Sequence, residues 1–164
     1  MKKVLIILVL LVLTANLAGC SNMTKSSSVG KGLSLNKFVF CNEINGDRDY
    51  VENTNKTFVP GKECLAYFEV TGFKYQKDNG TLLYHPVVEA EIKDPDGKIA
   101  VTRTKIIDKE MRGKSPAPYI YFPISFTLPQ NAKEGKYTLT IYVTDAIGKG
   151  TLKANEEFFI KNSG

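Results

Sequence analysis

From residue 33 to residue 160 apolar side chains recur at every second position in short runs, broken by Gly, Pro, Asn and Asp. That period belongs to half-buried β-strands and predicts an all-β sandwich or barrel. In residues 63–71, Cys64, Ala66, Phe68 and Val70 take one face and Leu65, Tyr67, Glu69 and Thr71 the other. Further strands are predicted over residues 34–41, 82–93 (Val88, Ala90 and Ile92 inward), 98–107 and 120–128. The run Ile120, Phe122, Ile124, Phe126 and Leu128 is the clearest core strand. Tyr137, Leu139, Ile141 and Val143 make the next, and residues 151–160 close the domain with Phe158 and Ile160. This gives about seven to eight antiparallel strands. Asp94-Pro95-Asp96-Gly97 is a hairpin turn, since Pro presets φ and Gly accepts a positive one. Residues 108–118 form a charged connection ending in Ser115-Pro116-Ala117-Pro118, which no central strand tolerates, so it should cross between sheets.

The amino-terminal stretch has a different pattern. Lys2 and Lys3 precede a continuous Leu/Ile/Val run over residues 4–12, too short to span a bilayer comfortably and preceded by positive charge, as export signals are. Leu17, Ala18, Gly19 and Cys20 follow it and resemble the lipobox of bacterial lipoproteins. The resemblance implies cleavage after residue 19 and lipid on the Cys20 sulfur. At roughly 0.8 kcal/mol per buried CH₂, two or three acyl chains anchor stably where one does not. Residues 1–19 are thus expected as signal peptide, 20–32 as lipidated terminus and flexible Ser/Gly-rich tether, and 33–164 as the domain. Ser21, not Asp, follows Cys20, which under the sorting rule for such proteins favours the outer membrane if the host has one.

Composition narrows the function classes. The formal charge of +5 falls to about +3 once Lys2 and Lys3 leave with the signal, and Lys is interspersed with Asp and Glu. Neither the export signal nor this distribution suits a nucleic-acid partner. An extracytoplasmic compartment permits disulfides. A Cys41–Cys64 bond would close a loop of about two dozen residues, worth roughly 3 kcal/mol in the chain-entropy picture. Two buried thiols acting as small hydrophobes are the alternative.

Pro129 through Gly135-Lys136-Tyr137, the L-x-I-x-V-x-D run to Asp145, Gly148-Lys149 and Phe158-x-Ile160 together resemble the closing half of immunoglobulin-like domains in exported bacterial proteins. Phe58-x-Pro60-Gly61 leading into Tyr67-Phe68-Glu69-Val70 resembles their early strands. The resemblance implies an immunoglobulin-like sandwich, with Tyr137 as a tyrosine corner holding the connection between sheets. It implies a fold and leaves the activity open.

No catalytic constellation is apparent. His85 is the one histidine, there is no G-x-S-x-G elbow, the serines cluster in the tether, and turn chemistry accounts for Asp94 and Asp96 without a metal. Neither cofactor nor metal is expected. The candidate binding residues are the basic cluster Lys105, Lys109, Arg112 and Lys114, which could meet an anionic surface, and the tyrosines Tyr119, Tyr121 and Tyr142, which suit sugar or protein. The expected function is a lipid-anchored, non-catalytic binding or scaffolding module of the cell envelope, held to the membrane through Cys20, with an envelope protein or polysaccharide as partner. The alternative is a protease-inhibitor-like module presenting residues 42–56 or 108–118 to a target enzyme.

Overall fold

The computed structural model describes residues 25–29 and 32–162. The expected signal segment and Cys20 lie outside them. Among the described residues there are thirteen strands and no helix. Seven are long: β2 (Ser34–Gly46), β5 (Glu63–Thr71), β8 (Pro86–Lys93), β9 (Ile99–Asp108), β11 (Ile120–Thr127), β12 (Gly135–Asp145) and β13 (Thr151–Ile160). These are the strands the alternation predicts, except that the one expected over residues 82–93 is broken at His85 and only Pro86–Lys93 of it forms a long strand. Six short ones accompany them: β1 (Lys25–Val29), β3 (Asp49–Glu52), β4 (Thr57–Phe58), β6 (Gln76–Asp78), β7 (Thr81–Tyr84) and β10 (Met111–Gly113).

The first sheet has the order β1-β13-β12-β8-β9, the second β11-β5-β2-β3, and a small third sheet β10-β7-β6. All pairings are antiparallel except that of β4 with β13, which is parallel. Residues 108–118 carry the chain from the first sheet to the second, as expected, and contribute β10 on the way. Lys25–Val29, within the segment expected as tether, pairs with Thr151 to Asn155 of β13.

The first two sheets bury their alternate residues against each other. Phe158, fully buried, sits at the centre, its ring centroid 5.1 Å from Phe40 and 5.4 Å from Phe126 of the second sheet and 5.5 Å from Tyr137 of its own. Burying such a ring stabilises by about 1.5–3 kcal/mol. Phe68 and Phe122 stack at 5.0 Å in the second sheet. β11 packs a core face, but it lies at the edge of its sheet. That position lets Pro123 stand in mid-strand, since its missing N–H costs no inner ladder bond.

The turns follow their sequences. Asp94 Oδ1 accepts from the backbone N of Asp96 (2.9 Å) and Lys98 (2.8 Å), with Gly97 at φ 78°. Buried Asp145 accepts from Ile147 N (3.0 Å) and reaches across to Lys74 N (2.8 Å), tying the β12–β13 turn to the chain leaving β5. Tyr137 donates its hydroxyl proton to the Lys133 carbonyl at 2.9 Å, the corner that the resemblance implies.

Three expectations are corrected. The strand predicted over residues 82–93 divides at His85 into β7, which pairs with β6 and β10, and β8, which pairs with β12 and β9 in the first sheet. The strand predicted over residues 34–41 continues to Gly46 and returns as β3, so residues 42–52 form a hairpin. The Cys41–Cys64 bond is absent and both thiols are free and buried. Register explains this: Cys41 pairs with Leu65 and Phe40 with Ala66. Successive strand residues face opposite sides, so Cys64 points into the core while Cys41 shares the outer face with Leu65. Burial pushes the thiols up to about 11 for Cys41 and about 12 for Cys64.

Candidate binding cleft

The site is built from the hairpin of β2 and β3, the third sheet and the start of β11. The hairpin folds back over the outer face of the second sheet. Tyr50 lies on Tyr67 with centroids 4.6 Å apart, and Lys37 Nζ donates to the Tyr50 hydroxyl at 2.6 Å. At the tip Arg48 adopts a φ of 56° and grips Glu69 with two bonds, Nε to Oε1 at 3.0 Å and Nη2 to Oε2 at 3.2 Å. Asn36 Nδ2 also donates to Glu69, and the Tyr67 hydroxyl does so at 3.1 Å. The Arg48 guanidinium holds the Glu69 carboxyl below the usual carboxylate range, with Asn36 and Tyr67 helping it against burial. The face expected to be exposed on β5 is therefore covered: Tyr67 is 0% and Glu69 1% exposed.

Asp47, beside Arg48, carries this network outward. Its Oδ1 lies 3.2 Å from the Tyr67 hydroxyl, whose one proton it shares with Glu69, and its two oxygens share the Tyr119 hydroxyl proton (3.1 and 2.9 Å). The guanidinium carbon of Arg48 lies 4.2 Å from the Tyr119 ring centroid. Next to Tyr119, Tyr121 stacks on Tyr67 at 5.8 Å and 19°.

The opposite wall comes from the third sheet. Asn79 (φ 46°) and Gly80 (φ 80°) make a tight turn with both central residues left-handed, the type that closes two-residue hairpins, and so set β6 against β7. β10 pairs on the other side, Met111 opposite Tyr84. Tyr84 is buried, its hydroxyl accepts from Ala117 N at 2.9 Å, and its ring meets Tyr75 edge-on at 5.7 Å. Between the walls lies a cleft of about 310 Å³ lined by Tyr84, Met111, Arg112, Tyr119, Tyr121 and Asp47, with residues 117 and 118 at its base.

Of the residues predicted from sequence, Arg112, Tyr119 and Tyr121 meet in this cleft, while Lys105, Lys109 and Lys114 lie outside its lining. The basic cluster does not act as one patch, because acids are interleaved with it. Lys105 bonds Asp108 at 2.7 Å, and Arg112 pairs with Asp78. Asp108 also meets His85 Nε2 at 2.7 Å, so the lone histidine sits in a surface ion network. Lys109 and Lys114 are exposed. Tyr142 belongs to the other sheet, where Arg103 covers its ring at 3.8 Å. Asp96 is taken by Lys133 at 2.7 Å. The loops considered for presentation to an enzyme are tied down: the first is the seated hairpin, the second holds β10. Tyr84, Met111 and Asp47 were not singled out by sequence. The one signal pointing to the wall of Tyr84 and Met111 is Asn79-Gly80 between strand-forming residues, and none points to Asp47 on the hairpin.

No protein-family model matches the chain, and no curated protein is similar to it. Among solved structures it is similar to the C-terminal domain of Wzt, at 12% identity and a TM-score of 0.58, over 88% of this chain and 81% of that one. It is also similar to the Pseudomonas fluorescens alkylpurine DNA glycosylase AlkC bound to DNA containing an abasic site analog. That match has 10% identity and a TM-score of 0.48, over 79% of this chain and 30% of that one. A Niemann-Pick type C2 protein from Japanese carpenter ant gives 7% identity and a TM-score of 0.44, over 81% and 96%. The first of these bears on the fold, which is an immunoglobulin-like β-sandwich.

Proposed function

We propose that this chain is a lipid-anchored module of the bacterial cell envelope that works by binding, without catalysis. The observation that carries the reading is the cleft. Its tyrosines are held in place by groups behind them, an arrangement suited to receiving a ligand. The two charged groups on its wall are engaged within the protein, Asp47 by the Tyr119 hydroxyl and Arg112 by Asp78. The address is supported by the apolar run and Leu17-Ala18-Gly19-Cys20, the pattern expected of a lipid anchor on Cys20 with the domain outside the inner membrane, and Ser21 favours the outer membrane if the host has one.

The test is the intact mass of the protein purified from membranes of its host. A chain starting at Cys20 with a lipid-sized increment is the expected result. A chain that retains Met1 and carries no lipid would sink the envelope reading.

A further inference from the structure

The geometry points to an uncharged glycan as the occupant of the cleft, a step that rests on reading the chain as a binding module. Three features support it. The first is preorganisation. Tyr121 is backed by fully buried Tyr67, Tyr119 is fixed by Arg48 above its ring and Asp47 at its hydroxyl, and Tyr84 is fixed by Tyr75 and Ala117 N. Tyr119 and Tyr121, the half-buried rings of the three, lose little side-chain freedom on binding and offer apolar surface to the C–H face of a sugar ring, while Tyr84, 3% exposed, stiffens the wall from behind.

The second is charge. Arg112 is paired with Asp78 across a partly exposed contact, and Asp47 accepts from the Tyr119 hydroxyl, the single Tyr67 proton being shared between it and Glu69. An anionic ligand would compete with Asp78 for Arg112, and a cationic one with the Tyr119 proton at Asp47, whereas a neutral ligand disturbs neither arrangement. The third argues against a peptide that binds as an added strand. A peptide bound as an added strand needs a run of free backbone donors along an edge. The edge strand beside the cleft, β11, is interrupted by Pro123, and β10 offers only three residues. The volume of about 310 Å³ lies at the low end of the roughly 300–1,000 Å³ of small-molecule sites, so the cleft holds a short stretch of a longer chain.

The test uses the full chain in a sugar-free detergent. The protein has no tryptophan, so its fluorescence is that of its 8 tyrosines. Chitohexaose, maltohexaose and cellohexaose are titrated as neutral probes, beside a polyanionic polysaccharide and a proline-rich peptide. At least one neutral hexasaccharide should bind saturably, at least tenfold more weakly in Tyr121→Leu and unchanged in Tyr142→Leu. Met111→Asp, at an exposed position of the cleft wall, should weaken it similarly and serves if Tyr121→Leu does not fold. Failure of all three neutral probes at millimolar concentration, or binding that survives both cleft variants, overturns the inference. Binding of the polyanion or the peptide alone also overturns it. That last result spares the broader reading of a binding module, whose address is judged separately by the mass measurement.

Discussion

The two sheets of this sandwich treat their outer faces in opposite ways. On the first, Tyr142 lies under Arg103, Arg103 pairs with Glu89, and Lys136 pairs with Glu157, all among half-exposed or exposed side chains. On the second, the β2–β3 hairpin covers Tyr67 and Glu69 and converts a solvent face into a second, polar interior. Both faces carry an arginine, a carboxylate and a tyrosine. The difference lies in desolvation, which leaves the first set worth little and makes the second depend on complete hydrogen bonding.

Mutations should expose this contrast on a common scale. Phe158→Ala removes the ring shared by both sheets and sets the upper mark, an expected loss of about 3–5 kcal/mol in urea unfolding. Arg48→Ala comes next. It leaves Glu69 buried with only Asn36 and Tyr67 as partners, and should lower the urea midpoint by less than Phe158→Ala, because Arg48 is half solvated, but by clearly more than the open-face counterpart below. The same variant should change the acid limb of stability. Glu69 is depressed in the folded state, so its contribution is present above the ordinary carboxylate value and disappears as pH falls through the lower folded one. Arg48→Ala should therefore flatten the decline of Tm on acidification. Arg103→Ala, the counterpart on the open face, should cost only about 0.5 kcal/mol. A loss equal to that of Arg48→Ala would erase the distinction between the two faces.

The same contrast explains what the sequence could reveal. β11 and β12 are readable because one face meets the core and the other meets water or a sparse cover, so the core residues Tyr137, Leu139, Ile141 and Val143 fall at every second position. The hairpin is not readable that way. Its register shifts break the period, and its attachment rests on Arg48, Asp47 and Tyr50, residues that solvent would accept equally well. Tyr119 and Tyr121 could be picked out as aromatics opposite a core face. The other wall of their cleft needed the pairing of β10 with β7, two segments nearly thirty residues apart in sequence, each too short to show a period. The disulfide expectation failed on parity, because proximity in the sheet does not put two side chains on one side of it.

That parity also separates two kinds of opening. Cys64 faces the core and becomes reachable by a thiol reagent only when the sandwich itself comes apart, whereas Cys41 lies on the other face at the root of the β2–β3 hairpin, opposite Glu52 of β3. The chain thus carries one clock for global unfolding and another for the lifting of a single flap, and the interval between them measures how independently the flap can breathe.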